Sequence, residues 1–240
     1  MIDPAGEDRL TALGLMDLHV QTLFRHDRSG RLVAINEMTA QPAPRLFLGR
    51  TPAGNLWRFR HDVPEFLVHD IEALLAVEPI SPDLQQQPVS LQCLINVLSA
   101  VEPVTRVWQG PAWHFPDEIL PPNDVATVVI SDIELLSAIF GGSVESWVDC
   151  HPCMAVVERG TPVSVCFCSR TSSLASEAGV ETLTEYRGRG YAVAVTAAWA
   201  LAVRGLGRAP LYSTSWDNLA SQGVARRLRL KLFGVDLHFT

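Results

Sequence analysis

The chain is 240 residues long, enough for one large domain or two modest ones, and its 48% apolar and 19% charged content excludes a disordered chain. A net charge of −7 argues against a nucleic-acid partner, leaving only a local basic patch at Arg187 and Arg189. No apolar run approaches the roughly 18 residues needed to span a bilayer. Residues 1–8 are acidic and lack a basic flank with an apolar core, so the expectation is a cytoplasmic chain with no membrane partner.

In chain order, residues 7–27 carry a leucine pattern that predicts a helix, with Leu10, Leu13, Leu15, Leu18 and Leu23 on a broad apolar face. Residues 32–35, 45–48 and 55–59 are short strand candidates separated by Ser29-Gly30 and Pro52-Ala53-Gly54, and are expected to form a small antiparallel sheet. Pro64 opens a predicted helix over 65–77. A second is predicted over 90–101, closed by Pro103. Residues 104–108 read as a strand. The proline- and aromatic-rich stretch that follows reads as an inter-domain linker or a substrate-facing loop. The expected division is an N-terminal α/β region of unassigned role (1–105), a linker (106–124) and a C-terminal domain (125–240).

In that last part, residues 125–130 read as a strand, and Ser131 and Glu134 predict a capping box for a helix over 132–140. Strands are expected at 151–158 and 161–169, joined by Arg159-Gly160. A strand at 177–183 meets the turn Glu185-Tyr186-Arg187-Gly188-Arg189-Gly190, and an alanine-rich helix follows. A strand at 209–214, a helix beginning at residue 217 or 218 and ending at 230, and a strand at 232–239 complete the order β-α-β-β-β-α-β-α-β. Three successive strands before the turn imply an antiparallel section; the strand–helix–strand after it implies a parallel crossover. The fold class is α+β, a mixed and mostly antiparallel sheet flanked by helices.

Four of the five cysteines lie in Cys150-His151-Pro152-Cys153 and Cys166-Phe167-Cys168. A zinc site is one reading of the C-x-x-C. The β-branched run 163–168 puts the second pair on one face of a strand instead, and no metal is expected.

A strand, a basic glycine turn and a helix start make a cradle for an anion, because the helix's first N–H groups are unpaired and carry partial positive charge. The turn is not a dinucleotide fingerprint, since Val193 stands where the third glycine belongs, and no P-loop motif is present. The segment 177–230 resembles the acyl-CoA-binding core of the GNAT N-acetyltransferase superfamily. The family's [QR]-x-x-G-x-[GA] falls on residues 185–190, with Glu185 in place of the first Gln or Arg. Its second landmark, an Asn opening the last helix, a small residue three places on and a late Leu, falls on Asn218, Ser221 and Leu228.

The resemblance implies an N-acyltransferase moving an acetyl or short acyl group from acetyl-CoA, its co-substrate, to a small-molecule primary amine. The alternative is a non-catalytic coenzyme A-binding sensor or interaction module. A monomer or homodimer is expected. Donor binding is assigned to Val180, Thr182 and Leu183 along the pantetheine arm, to Arg187, Gly188, Arg189, Gly190, Tyr191 and Ala192 at the pyrophosphate, and to Asn218 and Ser221. Glu177 and Glu181, four apart on one strand face, are the candidate bases, and Glu177 is favoured because it lies nearer the open end of the cleft. The family's thiolate-protonating Tyr falls on Ala225, with Tyr212, Tyr191, Ser221 or water as possible substitutes. Arg229 stands where the family often has Gly. His114 and His151 are weaker candidate bases, and Trp108, Trp113 and Phe115 are candidates for the acceptor-pocket lining.

Overall fold

The computed structural model describes residues 11–39, 41–122 and 124–240. The first helix, α1, spans Ala12–Leu23; the part of the predicted helix before it lies outside the described residues. Thr11 caps it by accepting from the Gly14 N–H. Strands β1 (Phe24–His26) and β2 (Leu32–Ile35) form a small antiparallel pair. Strands β3 (Leu46–Thr51) and β4 (Gly54–Phe59) form a hairpin, followed by α2 (Glu65–Ala76) and α3 (Leu91–Ser99).

Next come β5 (Val107–His114), β6 (Val128–Val129), α4 (Ile133–Phe140), β7 (Met154–Glu158), β8 (Thr161–Thr171) and β9 (Ala175–Thr182). Helix α5 (Tyr191–Gly205), β10 (Ala209–Ser213), α6 (Leu219–Arg227) and β11 (Lys231–Phe239) complete the order. No helix among the described residues is long and apolar enough to cross a membrane.

Nine strands form one sheet in the order β4-β3-β11-β5-β10-β9-β8-β7-β6, and its pairings are antiparallel except for β9 with β10. Two expectations are corrected here. The meander over 32–59 is not a separate sheet: β3 of its β3–β4 hairpin pairs with β11, and only β2 stays apart, on β1. The predicted linker supplies a central strand, since β5 runs through Pro111 between β11 and β10. Its alternating residues fill both faces, with Ala112 in one core cluster and Trp113 against the other. The loop after β5 is tied to α5, where the Arg204 guanidinium donates to the carbonyls of Phe115, Pro116 and Asp117. A smaller correction concerns α4, whose cap is Asp132, accepting from the Leu135 N–H, rather than Ser131.

Helices α2 and α3 cover one sheet face at the β3–β11 end, and α5 and α6 cover that face at the β7–β10 end. The opposite face receives α1. Met16 of α1 packs so closely over β3 and β11 that a Cβ on Gly49 or Gly234 would meet it at 2.4 Å. Those two glycines let α1 sink onto the sheet, which brings His19 down among the strands.

Candidate functional site

Strands β9 and β10 pair in parallel only at Ala175–Ala209, Ser176–Pro210 and Glu177–Leu211. Beyond Glu177 they part, and residues 178–182 keep β8 on one edge with no strand on the other. The open edge leads through a short 3₁₀ turn, Thr184–Tyr186, into the glycine turn and α5. Gly188 and Gly190 have φ of 78° and 84°, a region that costs a side-chain-bearing residue strain. The cap residue Gly190 offers no side chain. The N–H groups from Gly188 through Val193 meet no acceptor among the described residues, and the first one paired is that of Ala194, on Gly190 O at 3.1 Å. This is an anion site built from backbone.

The gap between the parted strands is a cavity of about 660 Å³. Val180 and Thr182 form its β9 wall. Arg187, Gly188, Gly190, Tyr191 and Ala192 form its glycine-turn end, and Asn218 and Ser221 line the α6 side. Two residues expected there are elsewhere. Leu183 packs into the core and donates to Val163 O, while Arg189 folds back over the Tyr186 ring, 5.0 Å from its centroid, and donates to Glu185 O. The Asn218–Ser221 spacing has a local cause: the Asn218 side chain caps α6 by accepting from the Ser221 N–H at 3.0 Å. Arg229 has φ of 53°, so the chain leaves α6 through the left-handed turn that the resemblance gives to glycine.

Among the substitutes for a tyrosine at Ala225, two meet in the cavity. Tyr212 and Ser221 both line it, with their hydroxyl oxygens 2.6 Å apart. Burial pushes the Tyr212 phenol up to about 12, so it is a neutral donor at neutral pH. The Tyr191 hydroxyl is committed to Glu158 at 2.5 Å. Arg226 and Arg227 also line the cavity, which sequence reasoning missed. Two basic residues in a last helical turn read as dipole compensation until the helix axis is oriented.

Glu177 lies at the closed apex of the split and not near its open end as expected, because it is the last residue of β9 still paired to β10. It is 2% exposed and lines neither the first cavity nor a second described below. Its Oε2 accepts from the Ser213 hydroxyl at 3.3 Å, so the bond spans the two strands where they separate. Its Oε1 accepts from His19 Nδ1 at 2.5 Å, and His19 Nε2 faces Asp236 Oδ1 at 3.6 Å. Asp236 Oδ2 accepts from His238 Nε2 at 2.6 Å, and the His238 ring stacks on Trp108. His19 and Asp236 are fully buried. Burial alone pulls the imidazole down, but Glu177 and Asp236 outweigh it and raise His19 to about 10. Burial pushes the Asp236 carboxyl up, yet His19 and His238 hold it well below the usual range.

A second cavity, of about 690 Å³, has an aromatic wall of Phe140, Trp147 and Phe167. Glu181 is the residue that lines both cavities among the described residues. Phe167 lies over Gly179, where a Cβ would meet its ring at 2.5 Å. Gly179→Ala is therefore expected to cost about 1–3 kcal/mol of stability, read by denaturant unfolding. His151 lines this cavity. His114 is half-buried beside Phe233, with burial lowering its pKa. Trp113 packs against Tyr212 and Phe115 against Trp199, so neither lines the second cavity. Burial pushes the Cys150 and Cys153 thiols up to about 12, while Cys166 and Cys168 are buried in β8.

No family model matches the sequence, and no curated protein does. Solved structures match. A GCN5-related N-acetyltransferase from Kribbella flavida aligns with a TM-score of 0.50 at 19% identity, covering 96% of this chain and 95% of that one. A GCN5-related N-acetyltransferase-like protein from Streptococcus suis aligns at 0.50 and 17% identity, covering 83% and 85%. A GNAT-family acetyltransferase structure from Novosphingobium aromaticivorans also aligns at 0.50 and 17%, covering 57% of this chain and 65% of that chain. Together with the parted parallel strands, these matches show that the chain has the fold of the GNAT N-acetyltransferase superfamily.

Proposed function

We propose that the protein is an N-acyltransferase that moves an acetyl or short acyl group from acyl-CoA to a primary amine by direct attack on the thioester. One observation carries this reading: the split after Glu177 and Leu211 opens onto unpaired N–H groups at the start of α5. The N–H groups of Gly188 to Val193 hold the pyrophosphate, and Arg187, Arg226 and Arg227 add charge-assisted contacts to the donor's phosphates. The free edge of residues 178–182 pairs with the pantetheine amides as an added strand would.

The amine enters from the second cavity, where Glu181 draws its ammonium toward the shared wall. Glu177 takes the amine proton through Ser213: the Ser213 Oγ accepts the proton as its own passes to Glu177 Oε2. Tyr212, backed by Ser221, donates a proton to the departing thiolate, the role that Ala225 cannot fill. The apex is buried and charge-coupled directly behind the split, as groups that serve catalysis often are.

Acetyl-CoA is expected to raise the melting temperature, since a ligand at a hundred times its Kd stabilises by about 2.7 kcal/mol. Gly188→Glu is expected to abolish that rise by placing a strained side chain and a negative charge in the cradle. A wild-type protein that shows no rise at millimolar acetyl-CoA overturns the donor site. A rise without thiol release on any of a panel of amines leaves a coenzyme A-binding module in its place.

A further inference from the structure

The strand register gives the second cavity a long axis. Along β8 and β9, Glu181 stands opposite Val165, Phe167 opposite Gly179, Arg170 opposite Glu177 and Thr171 opposite Ser176. Ala209 pairs with Ala175, so Arg208 sits one residue beyond that end. The β1–β2 region is pinned there too: the Asn36 side chain donates to Thr171 O at 2.8 Å, and Arg25 donates to Glu37 O at 2.8 Å. The lining therefore runs from Glu181, past the aromatic rings, to Arg25, Arg170 and Arg208.

Charge is separated along that axis. The lining carries Arg25, Arg170 and Arg208 against Glu37, Asp149 and Glu181, together with His151. Asp149 and His151 flank the middle, since Cys150 O between them accepts from the Cys168 N–H on β8 at 2.9 Å. At the arginine end, Arg170 is paired with Glu37. Arg25 has only the main-chain carbonyl of Glu37, and the Arg208 side chain meets no acceptor among the described residues. Two guanidiniums without a carboxylate at one end, and the Glu181 carboxylate at the other, suit a ligand charged at both ends. The wall between them is rigid. The Trp147 indole N–H donates to Gly141 O at 2.9 Å, and its ring lies 4.7 Å from that of Phe167, centroid to centroid.

We propose that the acceptor is an elongated primary amine with a flat apolar body and a carboxylate at its far end. Its ammonium lies at Glu181, its body against Phe140, Trp147 and Phe167, and its carboxylate on Arg25 and Arg208. The six strand residues from Glu181 to Ala175 cover about 20 Å, so an α-amino acid, with both charged groups on one carbon, reaches only one end. As the acceptor's class, this rests on the reading of the second cavity as the amine's entrance.

The probe is a biphenyl with an aminomethyl group at one para end and a carboxylic acid at the other, set against its carboxamide and against phenylalanine. KM for the acid is expected to lie about 10–100-fold below that for the carboxamide, the range that hydrogen bonds to a charged group supply. Phenylalanine is expected to do no better than the carboxamide. Arg208→Gln is expected to raise KM for the acid to that of the carboxamide, and Arg25→Gln to raise it in the same direction. Equal KM for acid and carboxamide in the wild type, or a preference that survives both substitutions, overturns the inference and leaves the acyltransferase standing. Calorimetric titration of the same probes into the coenzyme A-bound protein needs no turnover. Acid-selective binding without thiol release on any amine overturns acyl transfer and keeps the ligand class of the cavity; binding with no preference for the acid overturns that class.

Discussion

Glu177→Gln is expected to lower turnover by about 10²–10⁴-fold while the acetyl-CoA-induced rise in melting temperature stays intact. The amide keeps the volume and one oxygen for the Ser213 hydroxyl, but it cannot take the proton that leaves the amine. Folding should survive the change, because His19 and Asp236 remain as a balanced pair. Glu181→Gln gives the contrast. Glu181 is exposed on the wall common to the two cavities, so losing its charge is expected to raise KM for the amine and leave kcat near the wild-type value. Steady-state kinetics on both variants separate the roles, and a kcat defect confined to Glu181→Gln would transfer the base to that residue.

The second large effect is on stability. His19→Leu is expected to cost about 3–5 kcal/mol, because it leaves buried Glu177 without its cation and Asp236 with His238 alone. For a chain of this size that is a fall of about 2–4 °C in melting temperature per kcal/mol. The pH dependence has a definite sign. His19 is raised from 6.5 to about 10, so its contribution is fully present below 6.5 and is lost as pH rises toward 10. Asp236 is lowered from 3.8, so its contribution is present above 3.8 and is lost as pH falls below it. The difference between wild type and variant is therefore widest near pH 6 and narrows toward pH 10. It narrows on the acid side too, as the contribution of Asp236 is lost. Denaturant unfolding at pH 6, 8 and 10 tests this, and a gap that widens with pH would contradict the charged His19.

Much of the donor side was legible in the sequence because it is local. A strand, a glycine turn and a helix are contiguous from 175 to 205, and the Asn218–Ser221 cap is three residues long, so periodicity and spacing reach them. Leu183 and Arg189 show the limit of that logic. Adjacency in sequence put them with the anion-binding residues, but the 3₁₀ turn rotates one into the core and the other back over Tyr186.

The apex was only half legible. Glu177 stood out as a carboxylate on the right strand, but its partners lie 158 residues before it, at His19, and on β11 at Asp236. Neither is marked by any motif, and pairing across that distance follows from the sheet order, which the sequence does not encode locally. The same holds for β5. Its proline and glycine resemble a linker, and only neighbours on both sides make it a strand.

Strand β11 lies between β3 and β5, so the stretch 231–239 is the wedge that ties the β3–β4 hairpin to the rest of the sheet. During synthesis that wedge leaves the ribosome after every strand it must join. Until it does, the inner edge of β3 stays open, and the apolar faces of Leu46 and Leu48 lack Val235, Leu237 and Phe239 to pack with. Partners so far apart in sequence make assembly slow and leave an unpaired edge exposed in the nascent chain. The β3–β4 hairpin is thus finished only when residues 231–239 have been made, and chaperone demand should be concentrated in that interval.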